Sequence, residues 1–413
     1  MGALYINYFD NIDKVFITLS VIIFCTGAMY RLSILLGKPM IIGGLLSGVL
    51  LSHIPLSTKY FDIQSCSIFG SLGIVFFLMF IGSQFNFSRI IRSKFHRTVP
   101  FILIFIPFVV GALMIWVLLK FKMVDLYGQK HIILIAGYLG LTVSVTSLSM
   151  ITMFINYSYF KFSKVGKLAI FTASIGEIAF WLIFGVILIY FQQNETLVLE
   201  RSIGLAVYVV FLLHVAPKLI KYFVSKIETQ IAMLWFLIIG CLISAVIADM
   251  VNLHQVFGGF IFGVLLPKHN VLINKVRAQL DSFVSIILLP VFFVKTGMDA
   301  SVNIKFDSVS IYLSIIFIVI VIIAKYGSAI IGGKLAHISV KDSFVLGSFM
   351  SIRGVTEIAI LSVGREIGLI NQNTFTALVV MVMVTTWLGT NITTYYNSKT
   401  AKNSKKINFH ADT

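Results

Sequence analysis

A carboxylate in the middle of a long apolar run is the group here with the most chemical potential. Glu177 stands in Thr172-Ala-Ser-Ile-Gly-Glu177-Ile-Ala-Phe-Trp181 and is the only carboxylate within ten residues on either side. An acid deprived of water is disfavoured in its charged form, and it can hold a proton or a hard cation but not both. That mutual exclusion is the minimal chemistry of an ion exchanger. The plainer alternative is a protonated structural acid bonded to a neighbouring helix.

Three further sets of residues fit beside it. The stretch Thr142-Val-Ser144-Val-Thr146-Ser147-Leu-Ser149-Met-Ile-Thr152 is dense in hydroxyls, which suggests a helix that unwinds and offers oxygen ligands. Ser and Thr bonding back to their own helix carbonyls is the competing reading. Ser348-Phe-Met-Ser351-Ile-Arg353-Gly354-Val-Thr356-Glu357 is also polar and breakable at Gly354. Arg353 and Glu357 are four residues apart, so they can pair on one helix face, and Arg353 is expected to brace the break rather than touch an ion. Lys325, in Ile-Ala-Lys325-Tyr-Gly-Ser-Ala, needs a counter-charge, exposed carbonyls at a broken helix end, or a route to the interface by snorkelling. Ionisable groups at bilayer depth are costly, so each of these is a functional candidate.

The elements that must carry these residues are membrane spans. The chain has 413 residues, 58% hydrophobic and 12% charged, whereas globular domains carry about 25% charged residues. Apolar runs of about 20 residues, the length that crosses a bilayer as helix, recur at roughly 15–36, 40–56, 67–85, 99–120, 131–155, 166–191, 202–224, 231–250, 252–267, 281–298, 309–333, 343–367 and 374–395. This predicts an all-α integral membrane protein of about thirteen transmembrane helices. Residues 1–14 form an extracytoplasmic N-terminus, 15–395 the membrane domain and 396–413 a cytoplasmic tail. The net charge of +16 reflects loop lysines and arginines rather than nucleic-acid binding. Eight basic residues, among them Lys14, Lys120 and Arg365, flank the N-terminal face, and twenty-one, among them Arg31, Lys218, Lys268 and Lys341, flank the other. The positive-inside rule then puts the N-terminus outside and the C-terminus in the cytoplasm of a plasma or inner membrane. Cys25, Cys66 and Cys241 have no metal or disulfide spacing and read as packing residues.

The chain also repeats. Gly43-Gly44-Leu-Leu-Ser-Gly48-Val-Leu-Leu51 returns as Gly258-Gly259-Phe-Ile-Phe-Gly263-Val-Leu-Leu266, and Val75-Phe76-Phe77 with Gly82 returns as Val291-Phe292-Phe293 with Gly297. The offset is 215 or 216 residues and pairs the second apolar segment with the ninth. Seven segments is an odd number, so the copies, about 40–224 and 252–395, point in opposite directions across the membrane. Inverted repeats of this kind mark secondary transporters, and interrupted helices at matching positions in the two halves point to the binding site. The fifth and twelfth segments are such a pair.

Several stretches resemble the monovalent cation:proton antiporters, second subgroup, which includes potassium-efflux antiporters and plant cation/proton exchangers. They are Gly37-Lys-Pro39-Met-Ile-Ile-Gly43-Gly44-Leu-Leu-Ser-Gly48, Phe257-Gly-Gly-Phe-Ile-Phe-Gly-Val-Leu-Leu-Pro267, Leu288-Leu-Pro290-Val-Phe-Phe293 with Gly297, and Met350-Ser-Ile-Arg353-Gly354-Val-Thr-Glu357. The resemblance covers about residues 15–395. It implies a sodium/proton antiporter-like fold with two crossing broken helices, and a homodimer. It places the ion-binding carboxylate at Glu177, the core lysine at Lys325, the Arg-Gly pair at 353–354 on the second crossing helix, and the Thr/Ser pattern at 142–147 on the first. The chain departs from the family in more than one respect: Gly176-Glu177 stands where the family normally has Asp, usually preceded by Asp, Asn or Gln, and Gly44 and Gln84 stand where it often has Glu.

These readings converge on proton exchange for Na⁺ or K⁺ at Glu177, with Thr142, Ser144, Thr146, Ser147 and broken-helix carbonyls completing the cation shell. Lys325, Arg353 and Glu357 serve as supporting charges. The ions are substrates, and no cofactor is called for. A transport-inactive sensor or partner protein and a carrier of another small cationic solute are the alternatives. The absence of Walker, HExxH, GxSxG and CxxC patterns argues against an ATP-driven pump on this chain and against the enzymes those motifs mark.

Overall fold

A computed structural model describes residues 2–36, 39–54, 61–84, 98–120, 132–156, 160, 163–191, 204, 207–208, 210–212, 214–251, 253–268, 270–301 and 308–411. The described secondary structure is helical. In chain order the helices are α1 (Gly2–Leu35), α2 (Met40–His53), α3 (Ile63–Gln84), α4 (Thr98–Lys120), α5 (Ile132–Ser144), α6 (Leu148–Asn156), α7 (Lys164–Phe191) and α8 (Ala216–Lys226). They continue as α9 (Gln230–Met250), α10 (Gln255–Leu265), α11 (Val271–Phe283), α12 (Leu289–Ser301), α13 (Ser308–Leu335), α14 (Val340–Met350), α15 (Val355–Glu366) and α16 (Gln372–Ala411).

Among the described residues, eight helices are long and apolar enough to cross a membrane. There are nine if the bent pair α14–α15 is one span, and three shorter apolar helices accompany them. The expected segments align with these helices. The fifth is split into α5 and α6 and the twelfth into α14 and α15. The tenth begins earlier than expected, at Val271, and passes through a π-helical turn at Val284–Leu288 just before Pro290. Proline has no N–H to give the helical ladder, and a wider turn beside it accommodates the loss. The seventh segment, 202–224, falls partly outside the described residues. So do Lys38, Lys59, Arg89, Arg92, Lys94, Arg97, Lys122, Lys130, Lys161, Arg201 and Lys305 of the loops that set the expected orientation.

The helices form two compact units that interleave along the chain. The first holds residues 1–86 and 188–305, and the second holds 87–187 and 306–413. Each unit therefore takes helices from both repeats. In the first, α2 packs on α12 and α3 packs on α10. Glycine lets these pairs approach to backbone contact, as in membrane helix packing generally. A Cβ on Gly48 would overlap Val294 O and one on Gly263 would overlap Met79 O; one on Gly297 would meet Leu45 O and one on Gly82 would meet Phe260 O. Shifting each contact by 215 residues converts Gly48–Val294 into Gly263–Met79, and Gly297–Leu45 into Gly82–Phe260. The sequence repeat is thus a reciprocal packing repeat. Cys66 and Cys241 are buried in this unit and Cys25 is half-buried, all as free thiols.

Candidate functional site

All eight of the singled-out site residues lie in the second unit and are buried. Two helix breaks organise them. The chain leaves helix for Val145–Ser147 between α5 and α6, and again at Ile352–Gly354 between α14 and α15, where the axis bends by 47°. The breaks meet: Ser147 N donates to Ile352 O (3.3 Å) and Thr146 Oγ1 donates to Met350 O (2.8 Å). Gly354 faces Ser147 so closely that a Cβ on it would lie 2.7 Å from Ser147 Cβ. Thr386 of α16 serves the second break, accepting from Arg353 N (3.1 Å) and donating to Arg353 O (3.4 Å). Irregular backbone survives at bilayer depth only where side chains re-satisfy it.

A half-helix exposes its last four carbonyls at one end and its first N–H groups at the other. Both sets find partners here. At the C-terminal end of α5, Arg353 Nη1 donates to Thr142 O and Nη2 to Val143 O (3.0 Å). Lys325 Nζ takes the next two carbonyls, Ser144 O and Val145 O (3.2 Å), and also donates to Thr146 Oγ1 (2.8 Å). Four consecutive carbonyls are thus met by two cations, at the end of the helix whose dipole favours positive charge. Arg353 also pairs with Glu357, so it braces the break as expected. Lys325, with no exposed surface, caps the broken helix end and does not snorkel.

Glu177 serves the opposite ends. It sits mid-way along α7 with no exposed surface. Its Oε2 accepts from the N–H of Leu148, the first residue of α6 (3.3 Å), and its Oε1 accepts from Thr356 Oγ1 in the first turn of α15 (2.7 Å). Neither Lys325 nor Arg353 is its partner. Negative charge is favoured at helix N-termini, and two of them converge on this one carboxylate.

The expected oxygen ligands are distributed differently from Glu177's partners. Thr142 Oγ1 bonds back to Leu139 O (2.7 Å), Ser144 Oγ donates to Ile104 O (2.6 Å), and Thr146 Oγ1 lies between Lys325 and Met350 O. Ser147 contributes its N–H to the crossing. Among the described residues, a hydroxyl that reaches Glu177 is that of Thr356, which lies outside the expected ligand set. Its signal was present as a hydroxyl two residues past a breakable glycine. A cavity of about 570 Å³ reaches Gly176 together with Ser144 and Val145, and its walls are otherwise apolar, including Ile104, Phe105, Phe171 and Phe180.

Residues 19–397 match the family model described as sodium/hydrogen exchanger, transmembrane. The chain belongs to the sodium/hydrogen exchanger family. Sodium/hydrogen exchangers are secondary transporters, not enzymes, and this chain is accordingly an integral membrane protein. It is similar to the Na(+)/H(+) antiporter NhaS4 of Synechocystis, 24% identical over 84% of this chain and 88% of that protein. It is also similar to cation/H(+) antiporter 17 of Arabidopsis thaliana, at 22% identity over 86% of this chain, and to K(+)/H(+) antiporter 1 of Saccharomyces cerevisiae, at 23% over 86%. It spans less than half the length of those two, 45% and 43% respectively. The sodium proton antiporter MjNhaP1 of Methanocaldococcus jannaschii superposes with a TM-score of 0.64 over 91% of this chain and 94% of that one. At 15% identity this last likeness establishes the exchanger fold and nothing finer.

Proposed function

We propose that this chain exchanges protons for a monovalent cation, Na⁺ or K⁺, at Glu177 by alternating access. The observation that carries the reading is a fully buried carboxylate whose partners are a neutral hydroxyl and a backbone N–H, both delivered by half-helix N-termini. Such an acid is stabilised in place without being neutralised by a fixed cation, so a proton and a metal cation can take turns as its counter-charge. Lys325 and Arg353 hold the break open by occupying the α5 carbonyls, and Thr142, Ser144, Thr146 and Ser147 fix the geometry of the first crossing helix. Glu357 orients Arg353.

The same proposal extends to a homodimer in the plasma or inner membrane, with the N-terminus outside and the C-terminus in the cytoplasm. The excess of basic residues on one set of loops supports the orientation, and kinship supports the dimer. Membership in a family of exchangers disfavours the sensor and organic-cation readings.

The test is cation-driven proton flux in everted vesicles or proteoliposomes, followed with a pH-sensitive dye. Wild-type protein should move protons when Na⁺ or K⁺ is added, and Glu177→Gln should abolish the response while inserting normally. Exchange that survives in Glu177→Gln defeats the assignment.

A further inference from the structure

Thr356 sits in an unusual hydrogen-bonding position for a helical threonine. Its hydroxyl would ordinarily bond back to the carbonyl three or four residues earlier. Those carbonyls belong to Arg353 and Ile352, which lie in the non-helical break ahead of α15 and accept from Thr386 Oγ1 and Ser147 N. The Thr356 hydroxyl turns instead to Glu177 Oε1 at 2.7 Å, and Thr356 itself is 1% exposed. A hydroxyl has one proton to give and two lone pairs to offer. In this structure the proton goes to Glu177. With a cation beside the carboxylate, the same oxygen can turn its lone pairs to the ion without leaving its rotamer. The hydroxyls of Thr142, Ser144 and Thr146 are committed to Leu139 O, Ile104 O and Met350 O.

We infer that Thr356, on the second crossing helix, is a direct ligand of the transported cation, and that its hydroxyl alternates between donating to Glu177 in the empty site and coordinating the ion in the loaded one. This rests on the exchange reading at Glu177. The ligand class is a hard monovalent cation, which prefers oxygen donors. The coordination couples occupancy to the second break, since Thr356 lies two residues past Gly354 and next to Glu357, the partner of Arg353.

The experiment compares wild type, Thr356→Val and Thr356→Ser in proteoliposomes. Apparent KM and Vmax are measured for Na⁺ and K⁺ at an alkaline pH, where proton competition is weakest, and thermal midpoints are recorded for each purified protein. Valine keeps the shape and removes the oxygen; serine keeps the oxygen. The expected result is a KM about tenfold higher in Thr356→Val with Vmax changed far less, the pattern of lost substrate binding, and a KM in Thr356→Ser close to wild type. An unchanged KM in Thr356→Val overturns the inference, as does a Thr356→Ser variant that fails like valine, which would assign the effect to the methyl group. If Thr356→Val does not insert, Thr356→Ala is read by the same criteria. Wild-type protein that exchanges neither cation overturns the Glu177 reading itself, whereas wild-type exchange with an unshifted variant overturns only the role of Thr356.

Discussion

The two units use one inverted repeat in opposite ways. In the first, the repeated feature is a small residue, and its two copies make the same contact: Gly48 on Val294 O and Gly263 on Met79 O. In the second, the repeated feature is a broken helix, and the side chains gathered around the two breaks are not repeated. Two acids, one lysine and one arginine meet there: Glu177 bonds to two half-helix N-termini, Lys325 and Arg353 to the carbonyl end of α5, and Glu357 to Arg353. Symmetric backbone contact makes a dry seam that needs no charge. A break exposes polar backbone that must be met group by group, and only such a place can lend one of its charges to an ion. The repeat provides a scaffold, and chemistry enters where its symmetry is lost.

The largest effect should come from disturbing the seam. Gly263→Ala drives a Cβ into Met79 O, and Gly48→Ala does the same to Val294 O. Neither backbone can yield without parting the helices. Overpacking that side chains can relieve costs about 1–3 kcal/mol. With backbone on both sides of the contact a larger loss is expected, above that of any variant below, and both variants should show lower thermal midpoints and poor recovery in detergent. Gly27→Ala is the internal control, because nothing lies within 4 Å of a Cβ there. Replacing a helical glycine by alanine at an unobstructed position should instead stabilise by up to about 1 kcal/mol. Equal midpoints for Gly27→Ala and Gly263→Ala would mean that the seam is not close-packed.

Next come the caps at the break. Arg353→Met strips the Thr142 and Val143 carbonyls and leaves Glu357 buried without its counter-charge, so it should cost the most, about 3–5 kcal/mol. Lys325→Met strips the Ser144 and Val145 carbonyls but strands no opposite charge, and about 1–3 kcal/mol is expected. Glu357→Gln leaves the carbonyl bonds of Arg353 in place and should be the mildest of the three. Thermal midpoints of the purified variants give the order. A Lys325→Met protein as stable as wild type would show that the break needs no cation, and the contrast between the units would lose its basis.

How much of this was legible depended on what each residue type costs. Glu177, Lys325 and Arg353 stand out in sequence because a charge in an apolar run has few bland explanations. The breaks were legible because Ser, Thr and Gly compete poorly for helix. The seam was legible because its glycines recur in register. Thr356, Thr386 and the Leu148 N–H were not, since a hydroxyl or backbone donor costs little anywhere and reveals its role only by what faces it. Nor can spacing tell where a hydroxyl points: Thr142 and Ser144 lie in the right stretch, yet Thr142 bonds to its own helix and Ser144 to α4. The interleaving of the two units was equally hidden, because the repeats divide the chain in the middle whereas packing joins the matching parts of both copies.

The smallest expected effect sharpens the contrast at a place where the seam itself meets a charge. Lys268, just beyond α10, donates to the carbonyls of two seam glycines, Gly263 (3.0 Å) and Gly82 (3.3 Å), while Arg277 Nη1 donates to the neighbouring Ser83 Oγ (2.8 Å). Burial foremost, and then the charge of Arg277, push Lys268 down from the usual lysine value to about 8. The unfolded chain keeps that proton up to the ordinary value of 10.5. Below about pH 8 both states are protonated and the cost of the buried charge is fully present. Between about 8 and 10.5 the unfolded chain binds more protons, so stability contributed by this residue rises with pH. Lys268→Met removes the titrating group, and the thermal midpoint of wild type relative to the variant should therefore climb from pH 7.5 to pH 10. Parallel midpoint curves would mean that Lys268 titrates alike in both states. In that case the end of the seam would be as indifferent to charge as its middle.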